Sequence, residues 1–458
     1  MPEQKTKTVV SKILDTKEVT TCKATAQMIK KARNDGVELC FDRAANMKAC
    51  PIGADSACCK HCSMGPCRLN AKDPYGKVGV CGATIDTIMA RNFGRMVAAG
   101  AASHTDHGMA MLDLFREVVN GHIKDYEIKD PEKLIDVAAS IDIETEGRSL
   151  KDIANDLYAE LERTYTQVTG EIPFAKRVPE KTLETWRKLG IVPRGAMREI
   201  MELMHRTHIG VDQHYENIVE QCSRAAIGDG WGGSMIATDL QDVLFGCPYP
   251  VKSSANLGVL KEDHVNLVIH GHEPLLSEMI VQAAELPEMV ELAKKKGAKG
   301  IQLSGICCTA NELLMRHGIP LCGDFLQQEL AIVTGAVDAM VVDVQCIMEN
   351  IANVAQCFHT KIITTNPRAR IASGDTIHIE FDEHTAFEDA KKIVKTAIEN
   401  FPKREKEVII PDDKHDLIAG FSYEAIEYHL GGTFRGSYYT LNDNIINGRI
   451  RGVGGVVG

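Results

Sequence analysis

Six cysteines crowd into the 32 residues from Cys50 to Cys81, spaced Cys50-x7-Cys58-Cys59-x2-Cys62-x4-Cys67-x13-Cys81 in a stretch rich in glycine and proline. Residues 40–82 therefore read as loop wrapped around ligands. Two thiolates two residues apart can reach one small cluster, and backbone N–H groups freed by such a loop can hydrogen-bond the sulfurs. Structural zinc is the competing reading. Zinc sites usually show two separated C-x2-4-C knuckles, whereas this array has one C-x2-C beside the adjacent Cys58-Cys59 pair. Iron–sulfur binding is the expectation. Four cysteines complete one [4Fe–4S] set and two are left over, which a two-fold axis would match with two more from a second copy. The array alone thus suggests a homodimer with a shared cluster.

Charge and hydropathy narrow the remaining classes. The chain carries 52 basic against 63 acidic residues, a net −11, which argues against nucleic acid or an anionic membrane as the main partner. No apolar run approaches the ~18 residues of a membrane span. The opening MPEQKTKTVV lacks the basic-then-apolar plan of a signal peptide. A cytoplasmic location is expected, where disulfides rarely persist. Fifteen cysteines then point to metal ligation, since thiolates are soft ligands for iron and zinc.

Hydrophobic periodicity divides the 458 residues. Residues 1–247 read as a mostly helical domain carrying the cysteine array, with helical repeats over 96–120, 150–167 and 198–208. After Cys247-Pro248 short apolar runs alternate with amphipathic stretches: 265–269 then 273–286, 301–306 then 310–316, 339–344 then 349–357, and 361–365. This alternation predicts a Rossmann-like parallel α/β domain over 248–410 with right-handed crossovers. Residues 402–415 look like a linker, being charged and broken by proline. A new strand–helix pattern over 411–458 reads as the incomplete start of a second Rossmann-like α/β domain, its last run 451–458 being a strand.

In an open parallel sheet, ligands bind outside the carboxyl ends of the strands. The first three runs end in Ile269-His270-Gly271-His272, Gly305-Ile306-Cys307-Cys308 and Asp343-Val344-Gln345-Cys346. One histidine or cysteine at a strand end is more often structural; soft donors at three strand ends point to a metal site. His plus several Cys suits an iron–sulfur centre with an imidazole-bound metal and not magnesium or calcium. His104 and His107 share a helix face and are candidate proton carriers, although a solvent-exposed pair is the plain alternative. Asp229, in the glycine-rich IGDGWGGSM, is an acid/base candidate or a turn residue. Cys22, Cys40, Cys222, Cys247, Cys322 and Cys357 show no spacing logic and read as structural.

The segments CCKHCSMGPCR, DGWGGSMIATDLQDVLFG, VIHGHEPLLSEMI, SGICCTANELLMRHGIP and QQELAIVTGAVDAMVVDVQCIM resemble the catalytic subunit of anaerobic nickel–iron–sulfur carbon monoxide dehydrogenases, from about residue 40 to the end. The resemblance implies reversible oxidation of CO with water to CO2, two protons and two electrons at a Ni-Fe-S cluster. It implies that Cys50 and Cys58 hold a [4Fe–4S] or [2Fe–2S] cluster shared across the dimer. Cys59, Cys62, Cys67 and Cys81 would hold a [4Fe–4S] cluster within the subunit. His272 and Cys308 would bind the unique iron of the active cluster, Cys346 another iron, with Cys307 an alternate ligand. Electrons would pass to ferredoxin or a similar carrier. Acetyl-CoA synthase and a nickel-insertion accessory protein are the further partners implied. His104 and His107 match the start of a histidine relay, and Asp229 an acid near the substrate.

Two departures from the family pattern stand out. A relay histidine expected three positions after His107 is Ala110. The chain also stops at Gly458, where the family continues to further cysteine ligands and a catalytic lysine, so half of the expected ligand set is present. The expectation is a fragment, a split or interrupted gene, or a remainder supplied as another chain. Alone it would be catalytically silent. An iron–sulfur electron-transfer protein is the alternative, with a zinc-stabilised structural protein behind it.

Overall fold

The computed structural model describes residues 15–123 and 126–454, which fall into two compact units. One unit comprises residues 48–246 and the other residues 1–47 with 247–458. The described residues 15–47 thus belong with the sheet and not with the helical part assigned to them from sequence. The reason is local: the helix Lys23–Asn34 turns Ala24, Met28, Ile29 and Ala32, all fully buried, into the same core as Val268, Ile306 and Met340.

The helical unit is organised around one long helix, Ile85–Val119. Its start is fixed by Thr84, whose hydroxyl accepts from the Thr87 N–H at 3.4 Å as an N-cap. Helices Leu150–Thr166, Ala196–Arg206, Tyr215–Gly228 and Met235–Phe245 pack against it. The glycine-rich stretch Asp229–Ser234 forms a π-helical turn between the last two. The cysteine array leads into the long helix through a minimal ribbon, β1 (Cys58–Cys59) antiparallel to β2 (Cys67–Arg68).

The other unit is built on eight strands: β3 (Val251–Ala255), β4 (Val265–His270), β5 (Ile301–Ile306), β6 (Leu321–Gly323), β7 (Val337–Val342), β8 (Lys361–Thr364), β9 (Thr376–His378) and β10 (His415–Ala419). Their order is β10-β3-β6-β5-β4-β7-β8-β9, all parallel except β10 at the edge. β4 and β7 are buried at every position, as expected of central strands covered on both faces. Helix Pro274–Glu285 packs on Ala386–Asn400, which in turn packs on β4 and β7. The mixed helical and parallel-sheet architecture is the one the sequence predicts.

Three details differ from the sequence reading. β10 adds to the edge of this sheet by pairing with β3, Ala255 opposite His415, and so does not open a separate sheet within the described residues. Residues 402–415 are not a free linker. Arg404 grips the buried Asp338 through Nε (2.9 Å) and Nη2 (2.7 Å), and Val408, Ile409 and Ile410 pack on the core. The run 451–458 has no strand over 451–454, and its last four residues lie outside the described residues. No described helix is long and apolar enough to cross a membrane.

Candidate metal centres

In the helical unit the ribbon sets Cys59 opposite Cys67, and the loops on either side bring in Cys62 and Cys81. These four thiols line one pocket with Ile88 and Arg91 of the long helix. The Val80 N–H donates to Cys67 Sγ at 3.4 Å, the backbone-to-sulfur bonding typical of cluster loops. The Cys81 thiol is held below its ordinary value, chiefly by the Ala83 N–H against the effect of burial, with Arg91 adding to it.

The long helix also clamps the array from beneath. Asn92 Nδ2 donates to the Ser56 and Cys58 carbonyls at 2.8 and 3.1 Å, and Asn92 Oδ1 pairs with His61 Nε2 at 2.8 Å. Ser56 is thereby held at φ +55°, a conformation non-glycine residues adopt only where contacts enforce it. Cys50 is exposed and Cys58 half-buried, and neither lines the four-thiol pocket. Beside Ser56 lies a concave apolar surface formed by Met89, Phe93, Met96, Tyr215 and Val219.

In the sheet unit His270, Ile306 and Val342 stand level on adjacent strands. Beyond them each chain segment turns on positive-φ backbone, the one after β5 passing directly into the helix Cys307–His317. Gly271 has φ +140°, Cys307 +66°, Gln345 +64° and Cys346 +59°. Left-handed non-glycine residues cost roughly 1–3 kcal/mol each and cluster where function over-determines the backbone. Here they turn Cys307, Cys308 and Cys346 out of the ends of β5 and β7, while Gly271 turns His272 out of the end of β4.

Hydrogen bonds hold these turns together. The Asp343 carboxylate accepts from the His272 N–H (2.5 Å), the Glu273 N–H (3.1 Å) and the Val344 N–H, so one side chain ties the β4 turn to the β7 turn. A Cβ on Gly271 would collide with that carboxylate. The Thr309 N–H donates to Gly271 O at 2.9 Å and ties in the β5 turn. Gln328, fully buried, donates to the Cys346 carbonyl (3.0 Å) and accepts from the Met348 N–H (2.8 Å), while its Oε1 also meets His270 Nε2 at 3.1 Å.

His272 Nδ1 lies 3.1 Å from the Val344 carbonyl. A proton on Nδ1 donated there selects the tautomer whose lone pair is on Nε2, the arrangement that orients a metal-ligating histidine. Burial, then the neighbouring Cys346 and Cys308, push the Cys307 thiol up to about 12. Cys308 opens to solvent yet lies over dense protein, and desolvation followed by Cys346 pushes it up to about 11. Thiols crowded this way favour the thiolate only when a cation is among them. His270 beside them is held neutral by burial, down to about 4. Burial likewise raises Asp343 to about 7 despite its three N–H donors.

The third group of candidates sits in the helical unit. His104 Nδ1 is 3.1 Å from both Asp229 oxygens, and this bond holds the imidazole above its ordinary value against partial burial. Gly233 makes the pairing possible. A Cβ there would come within 2.9 Å of the His104 carbonyl carbon, so only glycine lets the π-turn approach the long helix. Gln241 Nε2 donates to His107 Nε2 at 3.0 Å, placing the ring proton of His107 on Nδ1.

The structure thus brings Cys59, Cys62, Cys67 and Cys81 to one pocket, sets His272, Cys307, Cys308 and Cys346 on three neighbouring turns, and pairs His104 with Asp229. Among the described residues no three His, Cys, Asp or Glu side chains converge on single-ion geometry. Arg91, Asn92, Gln328 and Asp343 escaped the sequence reading. The one signal available was a polar residue within an apolar stretch, as in VVDV and QQELAIV.

A family model described as the Prismane/CO dehydrogenase family matches residues 57–458. Carbon monoxide dehydrogenase 1 of Methanosarcina mazei is 51% identical over 440 residues, covering 95% of this chain and 69% of its own length. The beta subunit of carbon monoxide dehydrogenase/acetyl-CoA synthase from Moorella thermoacetica is 43% identical, with 95% and 65% covered. An as-isolated, Ni-free crystal structure of carbon monoxide dehydrogenase from Thermococcus sp. AM4 superposes with a TM-score of 0.92 at 45% identity, over 97% of this chain and 70% of that one. The chain therefore spans about two thirds of the length of these relatives. With sequence and fold agreeing along almost its whole length, the chain belongs to the Prismane/CO dehydrogenase family.

Proposed function

We propose that this chain is a catalytic subunit of an anaerobic carbon monoxide dehydrogenase, interconverting CO and water with CO2, two protons and two electrons. The observation that carries the proposal is the set of three neighbouring strand ends, each turning a soft donor outward on positive-φ backbone, at Gly271, at Cys307 and at Gln345-Cys346. His272, Cys308 and Cys346 would hold a Ni-Fe-S cluster, with Cys307 beside them. When bound, that cluster supplies metal-ion catalysis, activating water and fixing the reacting atoms side by side.

The chain's own residues would do the rest. Asp343 and Gln328 hold the liganding turns in register. His104 and Asp229 hold a proton between them, and Gln241 orients His107 as a second carrier. Cys59, Cys62, Cys67 and Cys81 would ligate a [4Fe–4S] cluster that passes electrons onward. Cys50 and Cys58 would share a further cluster with the same pair of a second subunit. The exposed apolar side chains Met89, Phe93 and Met96, which line a hollow beside Ser56, form a face that such a homodimer would cover. Ferredoxin is the acceptor that fits a low-potential cluster chain, and the cytoplasm is the compartment that fits free thiols.

One observation favours a second reading, an iron–sulfur electron-transfer protein: the pocket of Cys59, Cys62, Cys67 and Cys81 would by itself suffice for an electron-carrying cluster. Metal analysis of the anaerobically produced protein separates the two. Nickel bound with iron, lost in Cys346→Ala, together with CO-dependent reduction of a viologen dye, supports the dehydrogenase. Iron without nickel and without response to CO supports the electron carrier.

A further inference from the structure

Arg91 is one of the largest buried side chains in the protein, 2% exposed. It projects from the second turn of the helix Ile85–Val119 into the wall of the pocket formed by Cys59, Cys62, Cys67 and Cys81. Its Nη2 donates to the Asp212 carbonyl at 3.2 Å, whereas its Nε is buried with no hydrogen-bond partner. Among the described residues no carboxylate pairs with the guanidinium. A buried, uncompensated cation is costly, because desolvation removes more than one carbonyl returns. It persists where a negative group is to lie against it, and the only such group this pocket can create is the set of four thiolates with what they bind.

The consequence is electrostatic. A cubane ligated by four thiolates is a net anion, and adding one electron makes it more negative without any proton or bond change. A fixed cation in a low-dielectric wall stabilises the reduced form more than the oxidised one. Arginine suits this role better than lysine or histidine because it stays charged when buried. We infer that Arg91 sets the reduction potential of the cluster held by Cys59, Cys62, Cys67 and Cys81, raising it so that this cluster accepts electrons more readily than its thiolate shell alone would allow.

The inference rests on the reading of that pocket as a cluster site, and the test separates the two. Iron and acid-labile sulfide are first measured in the wild-type protein. An empty wild-type pocket would sink the cluster reading itself, and the inference with it. With the cluster present, its midpoint potential is followed by EPR-monitored redox titration in wild type, Arg91→Lys and Arg91→Gln. The expected order has Arg91→Gln at the most negative potential and Arg91→Lys between it and wild type, with iron content unchanged. A fully loaded Arg91→Gln at the wild-type potential would overturn the inference. Loss of iron from both variants would overturn it too, since Arg91 would then be a support of the pocket and not a charge that acts on the electron.

Discussion

Replacing Asp343 by alanine should release the β4 and β7 turns together. Its carboxylate is the acceptor for three backbone N–H groups, those of His272 at 2.5 Å, Glu273 at 3.1 Å and Val344. Asp343 is 3% exposed, so little water replaces the lost acceptor. Each buried donor left without a partner costs about 1–3 kcal/mol. With about 1.4 kcal/mol per tenfold change, the three amides should exchange with solvent roughly 10- to 100-fold faster. Asparagine has the same shape and keeps one carbonyl oxygen, so Asp343→Asn should protect His272 and Val344 but turn its NH2 against the Glu273 N–H. Glu273 alone should then speed up to the alanine level. Hydrogen exchange read by mass spectrometry with residue-level fragmentation resolves this, with Val268 and Val341 inside β4 and β7 as internal controls. Unchanged exchange at His272, Glu273 and Val344 in Asp343→Ala would refute the coupling of the two turns through this side chain. Faster exchange along the whole of β4 and β7 would also refute it, by showing a core defect instead.

Three further outcomes follow from the same geometry. Gln328→Leu strips the Cys346 carbonyl and the Met348 N–H of their buried partner, so metal retained at Cys346 should fall while iron in the four-thiol pocket is unchanged; element analysis of both sites checks this. Asp229→Asn replaces the carboxylate whose charge-assisted bond holds His104 above its ordinary value with a neutral acceptor, so the His104 titration followed by NMR should move down. The stabilisation this pair gives is present below the ordinary histidine value and lost as pH rises through the raised one, and the variant should lose that pH dependence. Glu202 is held down to about 2, its burial being outweighed by Arg206 and Arg194. Its stabilisation is therefore present above its ordinary 4.5 and lost as pH falls toward 2. Glu202→Gln should flatten the acid unfolding curve of the protein in that window, as read by circular dichroism.

What could be read from the sequence follows the physics of burial. β4, β5, β7 and β8 are inner strands of a covered sheet, so they are written as apolar runs and are legible. β3 reads VKSSA and is only half-buried, and β6 and β9 have three residues each. Strands of that kind owe their place to neighbours far along the chain and leave no periodic trace. The same holds for 402–415, whose charges and proline look like a linker while Arg404 is committed to Asp338. The grouping of Cys59, Cys62, Cys67 and Cys81 around one pocket was legible because the four lie within one short, closely spaced stretch of sequence. Arg91, Asn92, Gln328 and Asp343 were not, because a single buried polar residue acts through partners from other elements and has no spacing of its own.

The account stands on the pocket formed by Cys59, Cys62, Cys67 and Cys81 holding an iron–sulfur cluster. Iron, zinc and acid-labile sulfide per chain, measured in the anaerobically prepared protein and in Cys62→Ala, address this most directly. The account predicts sulfide with the iron, and a loss of roughly four iron per chain in the variant. Zinc in place of iron, or the same iron content in Cys62→Ala as in wild type, would contradict it.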